Sequence, residues 1–205
     1  MAKYELIYFD MDGGRGEPVR IAFHKAGIDF EDVRWTFTEF REKRQELRFT
    51  CAPVLRIDGE QVTQSNAIMR YVGKLAGLYP EDPLQALYCD ETMEAVEDLL
   101  HQIVGTFGLE GEELKAAREK LVDGWMTVFL IGLNDLLERG GGEYFADERL
   151  TMADLKVFVQ TRSLTAGVLD HVPRDLVEKV APLLMKHQAR IAEEPAVQAY
   201  YQSRK

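Results

Sequence analysis

Two cysteines and four histidines in 205 residues leave little material for metal or redox chemistry. Cys51 and Cys89 are far apart and form neither a CxxC redox pair nor a zinc ligand set. His24, His101, His171 and His187 are scattered outside any HExxH array. No metal is expected, and a reduced, cytoplasmic compartment fits best. Long apolar runs are missing as well: nowhere do about 18 apolar residues follow one another, and the apolar run inside MAKYELIYFDMDGG is too short for a signal peptide. Neither membrane insertion nor export is expected. Positive charge is scarce, with 25 Lys and Arg against 35 Asp and Glu and a net charge of −10, which repels phosphate backbones and anionic lipid surfaces. Nucleic acid and membranes are therefore not expected partners. What remains is a chain with 46% hydrophobic and 29% charged residues, a composition that buries a core unaided.

The pattern changes once along the chain. Tyr4 to Phe9 is a short aromatic and aliphatic run that stops at Asp10-Met-Asp-Gly-Gly14, the signature of a buried strand entering a turn. From Glu17 the apolar positions Val19, Ile21, Ala22, Phe23 and Ala26 predict a helix, with Pro18 in its first turn and Gly27 as its stop. A second strand is expected over 28–33 and a solvated helix over 37–49. Pro53 to Ile57 and Glu60 to Thr63 flank Asp58-Gly59, a hairpin signal, and helical spacing returns over 65–75. The order β-α-β-α-β-β-α defines an α/β, thioredoxin-like domain over residues 1–77. After a proline-containing linker, 78–84, the spacing over 85–205 predicts an all-α helical domain. Helices are expected over 84–107 and 112–139, and a buried one from the capping box Thr151-Met-Ala-Asp154, stapled by Leu150 and Leu155.

Two local motifs point elsewhere and fall short. Gly14-Arg-Gly16 between a strand and a helix has the start of a dinucleotide loop, but Val19 stands where the third glycine belongs. Asp10-Met-Asp12-Gly13 begins like a calcium loop and lacks the distal glutamate.

Four groups of residues give the chain a family likeness. They are Leu6-Ile-Tyr8-Phe9 followed by Arg15-Gly-Glu17 and Arg20; Ala52-Pro-Val-Leu55 with Asp58-Gly59; Thr63-Gln-Ser65-Asn-Ala-Ile68 with Arg70-Tyr71; and Leu150-Thr-Met-Ala-Asp154. In order and spacing they resemble the cytosolic glutathione transferases, most closely the tyrosine-using, sigma-like ones. The resemblance implies an enzyme with glutathione as co-substrate and no metal, conjugating it to small electrophiles. A glutathione-dependent isomerase or peroxidase of the same fold, a thiol oxidoreductase using Cys51, and a catalytically idle scaffold like the lens crystallins are the alternatives.

The chemistry sets the roles that the resemblance assigns. A free thiol with a pKa of about 8.5 is only a few per cent thiolate at neutral pH, so the enzyme must favour the anion. Tyr8 is the candidate donor to sulfur, with Arg15 beside the thiol. Ala52 would pair its backbone with the cysteinyl unit next to a cis Pro53, and Gln64 and Ser65 at a helix start would hold the γ-glutamyl carboxylate. Phe40 and Arg44 stand where relatives have tryptophan and lysine for the glycyl end. Asp98 matches an acid that reaches the partner subunit's glutathione, which implies a homodimer. Met11, Gly14, Leu100, Val104, Lys156 and Gln160 are the expected electrophile pocket.

Overall fold

The computed structural model describes residues 2–204, so Met1 and Lys205, the ends of the two expected domains, lie outside it. The chain divides into two compact units, one of Met1–Tyr79 with Pro195–Lys205 and one of Pro80–Glu194. The α/β class with a helical second unit is the expected one, and residues 195–204 group with the first unit.

In the first unit β1 (Tyr4–Phe9), α1 (Glu17–Ala26), β2 (Glu31–Trp35) and α2 (Phe37–Lys43) are followed by two 3₁₀ turns, β3 (Val54–Ile57), β4 (Glu60–Val62) and α3 (Ser65–Leu75). The sheet runs β2-β1-β3-β4. β1 and β2 are parallel, joined through α1, while β3 runs antiparallel to both β1 and β4. Leu6, Ile7 and Tyr8 are all buried, because helices cover both faces of the sheet and alternation with polar residues is lost. One face carries Ile7, Trp35, Leu47 and Val54, with Val33 and Phe40 against them. The other face receives α1 and α3. The helix α10 (Pro195–Gln202) packs on α1, and its Tyr200 meets the His24 ring edge-on at 6.0 Å.

The second unit holds α4 (Pro83–Val104), α5 (Gly111–Leu121), α6 (Thr127–Arg139), α7 (Met152–Ala166), α8 (Leu176–Val180) and α9 (Pro182–Glu193). The single helix expected over 112–139 is two, separated by a π-helical turn at Val122–Met126 in which Gly124 leaves helical geometry at φ −120°, ψ −109°. Glycine without a Cβ is the residue that tolerates such a break. α7 is buried almost all round, from Met152 to Thr161, and packs against α4 and α9. Its capping box forms: the Asp154 carboxylate accepts from the Thr151 N–H and the Thr151 hydroxyl, both at 2.7 Å. The other carboxylate oxygen accepts from the Phe145 N–H at 3.1 Å and lies 3.0 Å from His187 Nε2.

Candidate functional site

The register of the sheet carries three expected ligand residues to one end. Ile7 pairs with Val54 and Leu55 with Val62. Continued past the last pair, that register sets Tyr8 across from Pro53 and Pro53 across from Gln64. The Ala52–Pro53 peptide is cis, as the resemblance implied. Gln64 sits at φ 70°, ψ 108° as the N-cap of α3, with no capping bond from its side chain. Positive φ in a residue other than glycine costs on the order of 1–3 kcal/mol and gathers at functional positions. No sequence signal announces it. Ser65 is the first residue of the helix rather than its cap.

Tyr8 lies on the sheet face that receives α1, and its surroundings are glycine by necessity. A Cβ at Gly14 would stand 2.5 Å from the Tyr8 hydroxyl oxygen, and one at Gly16 would stand 2.4 Å from the ring. The two glycines that resembled a dinucleotide loop are thus a saddle for a phenol. The backbone N–H of Arg15, between them, donates to the Tyr8 hydroxyl at 2.9 Å. This bond engages a lone pair of the oxygen and not the phenol's own proton, and it polarises the O–H as a donor.

The loop from Asp10 to Gly16 is held by side chains that sequence reasoning left unassigned. Arg20, fully buried, donates to the Asp32 carboxylate at 2.9 Å and to the carbonyls of Phe9 and Met11, each at 3.2 Å. Its guanidinium carbon stands 5.7 Å from the Tyr8 ring centroid. The Gly13 N–H donates to Glu17. The available signal was Arg15-Gly-Glu17 with Arg20, read as a likeness without a mechanical role.

Other expected residues are less concentrated. Phe40 packs its ring on Phe9 at 5.0 Å, which places it in the core cluster. Arg44 stacks over Phe40 at 5.6 Å and donates to the Thr50 hydroxyl at 3.2 Å. Cys51 is exposed. In the helical unit Asp98 is exposed, Leu100 half-buried and Val104 exposed on α4. Lys156 and Gln160, the polar residues expected at the electrophile, are only 3% and 6% exposed. The Lys156 ammonium sits 2.7 Å from the Glu97 carboxylate, because a cation removed from water needs an opposite charge. Among the described residues no group of three metal-ligating side chains occurs, and no helix is long and apolar enough to cross a membrane.

Residues 4–74 match the glutathione S-transferase N-terminal domain and residues 97–204 the glutathione S-transferase C-terminal domain. The chain belongs to the glutathione S-transferase family. Glutathione S-transferase 1 of Ascaris suum is 32% identical over 162 residues, covering 77% of this chain and 78% of its own. Among solved structures, prostaglandin synthase D of Nilaparvata lugens superposes with a TM-score of 0.86 at 26% identity, covering 99% of this chain and 98% of that one. A monomeric glutathione S-transferase of the hookworm Necator americanus gives 0.78 at 26%, with 99% and 98% covered.

Proposed function

We propose that this protein binds glutathione along the sheet end formed by Tyr8, Ala52–Pro53 and Gln64–Ser65, ionises its thiol with the Tyr8 hydroxyl, and delivers the thiolate to a small electrophile. The observation that carries the proposal is the saddle of Gly14 and Gly16 around Tyr8, with the Arg15 N–H on its oxygen. Such packing fixes one rotamer of a phenol, which a merely space-filling aromatic does not require. A charge-assisted hydrogen bond to the thiolate contributes on the order of 1.5–3 kcal/mol. At about 1.36 kcal/mol per pKa unit, this lowers the thiol by about 1–2 units.

The γ-glutamyl carboxylate belongs at the start of α3, where backbone N–H groups and the positive helix end favour an anion. Arg15 assists at the thiol, and Arg44 beside Phe40 takes the glycyl carboxylate. Met11 and Gly14 border the electrophile. A homodimer with Asp98 reaching the partner's glutathione, in the cytoplasm, completes the reading. Both cysteines are unpaired, as a reducing compartment keeps them.

The test is the ultraviolet thiolate absorbance of bound glutathione against pH. The wild type should titrate about 1–2 units below free glutathione, and Tyr8→Phe should return the titration to the free value. An unshifted wild-type titration would favour the idle scaffold. Activity lost in Cys51→Ser and kept in Tyr8→Phe would assign the chemistry to the cysteine.

A further inference from the structure

The saddle over Tyr8 is built from a loop, and a loop holds a catalytic hydroxyl only as firmly as it is itself held. Its Gly13 N–H rests on Glu17 Oε2. Glu17 is completely buried, and its other oxygen, Oε1, has no hydrogen-bond partner. A buried carboxylate oxygen left in this way is stabilised by a positive charge beside it. Arg204, beyond the end of α10, supplies that charge: its Nη1 is 3.6 Å from Glu17 Oε1 and also contacts the Asp12 carboxylate. The same nitrogen donates to the Tyr200 hydroxyl at 3.2 Å, and the guanidinium lies over the Tyr200 ring at 5.6 Å. Tyr200 is buried against α1. Burial, and after it the nearby Glu17 charge, push its phenol up to about 12, so it remains a neutral partner at any working pH.

We propose that Arg204 and Glu17 are positioning residues for Tyr8, forming a strut in which the C-terminal helix fixes the 10–16 loop and with it the Arg15 N–H and the two glycines. The strut stands apart from the expected glutathione contacts, so its loss alters how Tyr8 is aimed and not how glutathione is gripped. Without Arg204 the buried Glu17 carboxylate loses the cation beside its Oε1, and a carboxylate without that anchor holds Gly13 less firmly. Arg20, which grips Phe9 and Met11 independently, keeps the loop folded. The effect is thus a loosened hydroxyl and not a collapsed site.

This inference rests on Tyr8 being the thiol activator, and the experiment separates the two. Arg204→Met is compared with wild type, Arg204→Lys and Tyr8→Phe for thiolate absorbance of bound glutathione and for kcat and KM at pH 6.5 and 9. The expected result for Arg204→Met is a bound thiol raised by about 0.5–1 unit, which lowers kcat about two- to ninefold at pH 6.5 and little at pH 9. Its KM for glutathione should stay within about twofold, and Arg204→Lys should recover most of the loss. Adding Arg204→Met to Tyr8→Phe should raise the thiol no further. If Arg204→Met does not fold, Arg204→Gln, which keeps a polar end against Asp12, takes its place with the same expectations. A wild type with an unshifted thiol refutes the thiol-activation reading. A shifted wild type with an unchanged thiol in the Arg204 variant refutes the strut, as does a loss of kcat equal at both pH values.

Discussion

Replacing Gly14 by alanine places a methyl group 2.5 Å from the Tyr8 hydroxyl oxygen, on a residue whose φ is +64°. Two costs arise, and they can be separated. The left-handed backbone penalises any Cβ by about 1–2 kcal/mol, which is paid in stability. The collision must be relieved by moving the phenol by roughly 1 Å, since ordinary carbon–oxygen contacts begin near about 3.4 Å. A displacement of that size breaks a directional hydrogen bond to sulfur. The activation lost is then the on the order of 1.5–3 kcal/mol of that bond, or about ten- to one-hundredfold in kcat/KM at neutral pH. Gly59 in the β3–β4 turn is the control: its φ is +89°, yet a Cβ there meets nothing within 4 Å. Gly59→Ala should lose comparable stability in urea unfolding and keep wild-type kcat/KM in a glutathione-conjugation assay. If Gly14→Ala retains the activity of Gly59→Ala, the phenol is not held by the loop and the argument for Tyr8 fails.

Gln64→Gly relieves a φ of 70° and should stabilise the fold by up to about 1 kcal/mol while raising KM for glutathione several-fold; unchanged KM would remove Gln64 from the site. Lys156→Met removes the ammonium 2.7 Å from the Glu97 carboxylate in the helical unit and should cost about 3–5 kcal/mol in denaturant unfolding. Much of that should return in the double variant Lys156→Met, Glu97→Leu. Cys89 is buried, and desolvation pushes its thiol up to about 11 from the usual 9. The folded state therefore keeps a proton that the unfolded chain releases, so stability present below pH 9 declines as pH rises toward 11, by about 2–3 kcal/mol in all. Cys89→Ala should flatten that part of the pH–stability curve. At neutral pH, a thiol reagent should modify Cys51 in the native protein and Cys89 only after unfolding.

The parts of the fold legible in the sequence are those written in local chemistry. The Asp58-Gly59 turn, the Pro18 and Gly27 bounds of α1 and the Thr151 to Asp154 box each specify geometry within a few residues. Their order along the chain is what brings Tyr8, Pro53 and Gln64 level. What was not legible depends on contacts between distant segments. Lys156 meets Glu97 from 59 residues away, a pairing that helical spacing does not announce. The return of α10 to the first unit rests on Tyr200 and Arg204 meeting residues near the start of the chain, and helical spacing carries no information about which unit a helix joins. Gly124 was visible but ambiguous, because one glycine weakens a helix without necessarily breaking it. The spacing Gly14-x-Gly16 falls short of a dinucleotide loop, yet the same absence of side chains that admits a pyrophosphate admits a tyrosine ring.

The partners of Asp154 arrive at different times. Thr151 on Oδ2 and Phe145 on Oδ1 both precede it in the chain, three and nine residues back, whereas His187, also on Oδ1, comes 33 residues later. At a synthesis rate of about 5–20 residues per second, the first set of bonds becomes available roughly 2–7 s before the second. The start of α7 therefore has a local lock during translation and gains its long-range one only when α9 has emerged. Until then one oxygen of a carboxylate destined for full burial has yet to meet its imidazole, and the nascent helical unit has reason to keep that end of α7 in water.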